Sequence, residues 1–438
     1  MSTVTTGTPR LSPMRLEILL DRVLREMTFT DIHVHDMPDV MGPEFALAGP
    51  DATIDYHYLY GEVLSDHRFS DAEAEALWQL PQAERVDLLI ERSFGDGALP
   101  VSEGRLGILT AAHALGLPTD SGDIKRIVAE WRTLYAELGR ERYTNLIFEK
   151  ARVNRVISTQ SPFVEAECER YLDDRVIAEW DPRYWCGLRF DEFAHKPETI
   201  GPLCERMKFP GAAGPLGNPK AQLHARKLLE FWIDRLPNVR YVALSLPGKL
   251  DFSDSQHRAL LTIEQVLAPV CRERNLPLFL MPFVRRQINP AYRNAGDVVE
   301  RGDINGLIDL ISRHRDILWA VTPLDEGDNY PLSFATRALG NLRVWGHWWC
   351  NLNPSLIKQQ LKLRLENNGY AHYGINSDAR IRDQLLFKFP HYLRVLHEVL
   401  LERCLDIQQL SGWPVTEEQV TATVERLHDY RSLLRITD

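Results

Sequence analysis

Eight short apolar runs, each followed by turn chemistry and a helical stretch, constrain this chain more than any other feature of it. They are Phe29 to Asp36, Asn154 to Thr159, Tyr184 to Phe190, Val239 to Leu246, Pro277 to Val284, Ile317 to Leu324, Leu342 to Cys350 and His372 to Asp378, mostly β-branched, aromatic or leucine-rich. Eight β/α units close a parallel barrel, and 438 residues suit such a barrel with insertions. A doubly wound open sheet would place a glycine-rich phosphate loop after its first strand, and DIHVHDMPDV has none. The expected fold is therefore α/β, a (β/α)8 TIM barrel with residues 1–438 forming one metal-dependent domain.

Around these strands the helices can be placed by their caps. Ser12 and Pro13 start a helix whose stripe is Leu16, Leu19, Leu20, Val23, Leu24 and Met27. A helical insertion after strand one occupies about residues 50–150, with a capping box at Ser70 and Glu73 and helices over Ser102 to Leu115 and Ile124 to Leu138. An insertion at that point sits over the barrel mouth, as a lid or wall for a pocket. PGAAGPLGNP reads as a mobile loop, and a last helix runs from Thr416 and Gln419 to near Leu433.

Composition narrows the function. A net charge of -10 with no basic stripe argues against nucleic acid. The N-terminus lacks a signal-peptide pattern, no stretch is long and apolar enough for a bilayer, and the six cysteines have no metal-binding spacing. A cytoplasmic enzyme with neither nucleic-acid nor membrane partners is expected.

Candidate chemistry lies at the strand ends. His33 and His35, two apart in a strand, can reach one ion on the same face. Asp378 at the eighth strand's end can complete a facial set with open positions; the other role for it is a helix N-cap. Arg189 closes strand three and Arg380 lies beyond strand eight, a pair suited to a carboxylate, although a salt bridge would equally account for Arg189. Trp348 and Trp349 are adjacent, so one of them can face the barrel as an aromatic wall, and His347 beside them reads as structural. Asp55, Tyr56, His57 and Tyr58 cluster early in the insertion, either to move protons or as one face of an amphipathic helix. Strand four has no lysine and strand five no histidine, which favours one metal over two.

Together the motifs T-D-x-H-x-H at Thr30 to His35, T-x-x-Y-H-Y-L-x-x-E-V from Thr53, P-V-S-E from Pro100 with G-x-L-T from Gly107, G-L-R ending at Arg189, A-L-S-L-P from Ala243, the paired tryptophans and S-D-A-R ending at Arg380 resemble the uronate (glucuronate) isomerase family of the amidohydrolase superfamily, in its shorter, divergent branch. The resemblance spans nearly the whole chain. It implies a distorted barrel holding one divalent metal, with zinc expected, on His33, His35 and Asp378. It also implies that His57, Tyr58, Arg189, Trp349 and Arg380 line a hexuronate; Tyr58, His57 and Asp378 are the candidate bases, Arg380 is a further catalytic candidate, and a homo-oligomer is expected. Such enzymes interconvert D-glucuronate with D-fructuronate and D-galacturonate with D-tagaturonate. The alternative within the superfamily is a mononuclear metal-dependent hydrolase of a carboxylate-bearing substrate. Two departures stand out: Asp36 after His35, where the family more often has an apolar residue, and the acidic PLDEGDN at strand six.

Overall fold

A parallel strand covered on both faces has no solvent side, so its sequence reads as an unbroken apolar run. The computed structural model, which describes residues 10–347 and 352–436, follows that rule. β1 (Phe29–Val34) is buried at every position. β2 (Val153–Gln160), β3 (Tyr184–Arg189), β4 (Val239–Pro247) and β5 (Leu278–Arg285) follow beside it. β6 (Val298–Val299), which the sequence did not suggest, is a two-residue antiparallel edge on β5. The sheet continues through β7 (Trp319–Val321), β8 (Leu342–Trp345) and β9 (His372–Tyr373), so that the parallel order is β1-β2-β3-β4-β5-β7-β8-β9.

All eight expected strands are present, but the last three are shorter than the runs that predicted them. The ladder stops at β9, and the chain after it closes the circle irregularly. Asp378 N donates to His33 O at 3.1 Å, while His35 N and Asp36 N donate to Ala379 O at 2.7 and 2.8 Å. Ser377 N donates to both Asp31 carboxylate oxygens, at 3.1 and 3.2 Å. This seam is where the barrel departs from regularity.

The helix Pro13–Glu26 is capped by Ser12 and buries Leu16, Leu19, Leu20, Val23 and Leu24 against the long helix Leu385–Ser411. The insertion is built of helices joined by loops, from Pro50–Ile54 to Ile124–Ala151, and Ser70 with Glu73 forms the capping box. Its last helix runs on past Leu138 through a kink at Gly139, whose φ of 68° suits glycine. Trp78 Nε1 donates to Ala291 O at 2.7 Å and ties the insertion to the segment after β5. PGAAGPLGNP is a packed turn, with Ala212 and Leu216 buried and Asn218 capping the helix Pro219–Arg235. The C-terminal segment splits into Glu417–Leu427, with the Thr416–Gln419 box, and Tyr430–Leu433. Among the described residues no helix is long and apolar enough to cross a membrane. Cys168, Cys186, Cys204, Cys271 and Cys404 are free thiols.

Asp36 is explained by the barrel wall. Its carboxylate takes Arg382 Nε at 3.0 Å and Tyr184 OH at 2.6 Å, and Arg382 also reaches Asp39 at 2.8 Å. Arg382 is fully buried, so removing it leaves the Asp36 carboxyl, which burial already pushes up, with only the Tyr184 hydroxyl as partner and no counter-charge. Arg382→Met should lower stability by about 3–5 kcal/mol in urea unfolding. Combining it with Asp36→Asn should restore part of that loss, and strictly additive losses would contradict the pairing.

Candidate metal centre and substrate pocket

His33, on β1, and His35, one residue past its end, are held by their outer ring nitrogens. His33 Nδ1 lies 3.0 Å from Tyr241 OH on β4, and His35 Nδ1 lies 2.8 Å from Thr159 Oγ1 on β2. Tyr241 reaches His33 because position 187 is glycine; a Cβ there would stand 2.3 Å from the tyrosine ring. Both Nε2 atoms therefore face inward, 3.5 and 3.2 Å from Asp378 Oδ1. One ligand atom from each of the three residues falls within 4.8 Å of the others. Asp378 is brought there by the seam, with φ of 51°, a left-handed conformation that a non-glycine residue adopts at a cost of about 1 kcal/mol. It is not a helix cap, because the following helical turn starts at Arg382.

The charge states suit a cation. Burial, with His35 nearby, pushes the His33 imidazole down to about 3, and burial likewise lowers His35. Burial alone would raise Asp378, but His35, His33 and Lys388 outweigh it and hold the carboxyl down to about 2. Two neutral imidazoles and one carboxylate are the forms a metal binds. His33 Nε2 is buried without a hydrogen-bond partner, as expected of an atom whose natural partner is an ion. The residues fit a divalent metal with coordination positions left open.

The centre faces a cavity of about 230 Å³ with Arg189, Arg286, Arg380, Tyr56 and His57 on its wall. Arg189 Nε donates to Asp191 at 2.9 Å, and Arg380 Nη1 donates to His35 O and Phe45 O at 2.7 and 3.0 Å. Each is anchored yet lines the cavity, so for Arg189 the salt bridge and the pocket position coexist. Sequence reasoning missed Arg286, which pairs with Asp297 at 2.8 Å. The strand-end logic that selected Arg189 would have found it after FVR on β5.

His57 lines this cavity and also an adjoining chamber of about 430 Å³, where Tyr58 lies; Tyr56, rather than Tyr58, faces the metal residues. Burial first, then the charge of Lys388, lowers His57 to about 4. Lys388, also missed, lies 3.1 Å from Tyr58 OH and is pushed down to about 8 by burial. Its signal was a lysine inside the apolar run LLFKF. His347 is structural, with Nδ1 2.7 Å from Gln360 Oε1. Trp348 and Trp349 lie outside the described residues. In the acidic PLDEGDN stretch, Asp325 caps the helix Glu326–Ala338 and pairs with Arg301, and none of its acids lines the cavity.

No family model and no curated protein matches this chain. Solved structures do. A uronate isomerase from Bacillus halodurans C-125 superposes with a TM-score of 0.90 at 28% identity, covering 98% of each chain. A glucuronate isomerase from Caulobacter crescentus gives 0.72 at 13% identity, covering 100% of this chain and 97% of that one. A candidate metal-dependent hydrolase from Lactobacillus casei ATCC 334 gives 0.53 at 11%, covering 95% and 97%. The last two likenesses are of fold alone. The likeness to uronate isomerases read from the motifs thus extends through the whole structure.

Elemental analysis should find one divalent ion per chain, lost in His33→Asn and Asp378→Asn while the circular dichroism is kept. A free imidazole takes up protons below 6.5, whereas His33 does so only near 3. At fixed free metal, occupancy should therefore hold from about pH 7.5 to about pH 5. A steep fall centred near 6.5 would contradict the buried, neutral state of the ligands.

Proposed function

From a chain that shares its architecture with a uronate isomerase over its full length, we propose a uronate isomerase that interconverts aldo- and keto-hexuronates. The observation that carries this reading is one cavity faced both by the His33, His35 and Asp378 set and by anchored arginines. An open-chain uronate has a carboxylate at one end and oxygens on C1 and C2 at the other. Arg189 and Arg380 supply rigid forks for the carboxylate. His33, His35 and Asp378 would hold the ion, which we take to be zinc, and when bound it would supply Lewis-acid stabilisation of substrate oxygens.

The protein's own groups then move the protons. A base takes the C2 proton and the C1 carbonyl oxygen gains one, giving an enediol; C1 is then protonated as the C2 hydroxyl proton leaves and the C2 carbonyl forms. His57, held neutral by burial, can accept a proton, as can the ionised Asp378, which also suits ring opening. Tyr58, in the adjoining chamber, is the third candidate. Nearby cations favour the enediolate.

Proton NMR of D-glucuronate and D-galacturonate incubated in D2O tests this directly. Ketouronate signals should grow, with deuterium at C1, and vanish with Asp378→Asn. Metal-loaded, folded protein that yields neither ketose nor exchange would overturn the reading. Arg189→Met should raise KM roughly 10- to 100-fold, as expected for a lost charged hydrogen bond, and an unchanged KM would remove Arg189 from carboxylate binding.

A further inference from the structure

Lys388 is a buried cation with no acid beside it. It is 4% exposed, on the inward face of the helix Leu385–Ser411 and flanked by Phe387 and Phe389. Among the described residues no carboxylate makes an ion pair with it. The acids whose charge it feels are committed elsewhere: Glu103 to His391, Asp31 to the amides of His33 and Ser377, and Asp378 to the two histidines. Its Nζ contacts two oxygens, Tyr58 OH at 3.1 Å and the Asp378 carbonyl at 3.4 Å. Burying an ammonium without a counter-ion is expensive, so a lysine placed there for packing alone is disfavoured against any apolar residue of similar length.

The placement gives it a use. Tyr58 is the second residue of the helix His57–Asp66, and its ring lies 5.0 Å from Nζ. Both residues line the chamber that shares His57, Asn294 and Asp297 with the metal-facing cavity. A substrate whose carboxylate is held by Arg189 and Arg380 can extend its other end past His57 into this chamber. An ammonium donating to a phenol oxygen stabilises the phenolate and fixes its direction.

We propose that Lys388 is a positioning residue that holds Tyr58 as the group exchanging a proton with the C1–C2 end of the substrate. The inference rests on the isomerase reading and adds to it the residue that orients one of its candidate bases. When the Tyr58 phenolate takes the C2 proton, the C–H electron pair forms the C1–C2 double bond and the C1 carbonyl pair moves to O1, which gains the proton that the C2 hydroxyl gives up. When the Tyr58 phenol returns its proton to C1, the double-bond pair forms the new C1–H bond and the C2 oxygen's pair forms the carbonyl. Lys388 is neither consumed nor transferred.

Lys388→Ala opens space onto a chamber wide enough for a small amine, which allows chemical rescue. In metal-loaded protein, kcat should fall about 100-fold or more while KM changes less than about threefold. Ethylammonium should restore at least about tenfold of the loss, whereas tetramethylammonium, which cannot donate a hydrogen bond, should not. A kcat within about threefold of the parent protein, or a loss that ethylammonium does not relieve at unchanged metal content, would overturn the proposal. A second readout needs no turnover: 3-fluorotyrosine at position 58, observed by 19F NMR at one fixed pH. Its resonance should move on Lys388→Ala and return on adding ethylammonium, and an unmoved resonance would reject the contact. If the parent protein isomerises no uronate but the resonance behaves as expected, the choice of substrate fails while the Lys388–Tyr58 pairing stands.

Discussion

The backbone hydrogen bonds between the end of β1 and residues 377–379 are the constraint on which the rest of this structure depends. β9 is only two residues long, so a regular ladder cannot close the barrel. The bonds from Asp378 N to His33 O and from His35 N to Ala379 O close it instead. The same bonds carry a side chain separated from β1 by more than three hundred residues of sequence to within 3.2 Å of His35. Closure and the assembly of the candidate metal set are thus one event. Arg382, three residues further on, nails this segment to Asp36 and Asp39 from the other side.

Electrostatics then separates two kinds of cation. Arg189, Arg286 and Arg380 each have a partner that fixes the guanidinium while leaving it on the cavity wall. Pre-organised donors of this kind need little rearrangement when an anion arrives. Among the described residues Lys388 contacts only neutral oxygens, and so its charge remains available to the phenol beside it. Burial keeps both candidate imidazole ligands neutral, while the close contact with His35, and Lys388 beyond it, hold the Asp378 carboxyl below the usual carboxylate range.

The fold was legible because parallel strands buried on both faces write themselves as apolar runs, and because Ser12, Ser70 and Thr416 are caps of local chemistry. His33, His35 and Asp378 were legible because strand ends converge in a barrel. What escaped depended on distant packing. Tyr241 became a partner of His33 through the space left at Gly187, and no spacing within YVALSLP announces it. Tyr56 rather than Tyr58 faces the metal residues because the helix begins only at His57, a boundary that the pattern TIDYHYLYGEV leaves open. Asp36 departs from the family pattern right beside a candidate ligand, yet its carboxylate turns into the wall toward Arg382.

The most direct measurement is a pair of anomalous difference maps, collected just above and just below the absorption edge of the metal that the protein carries. A single peak bounded by His33 Nε2, His35 Nε2 and the Asp378 carboxylate, on the side of the cavity lined by Arg189 and Arg380, is the expected result. A peak held by other residues, or a fully folded and active protein with no peak at this position, would contradict it.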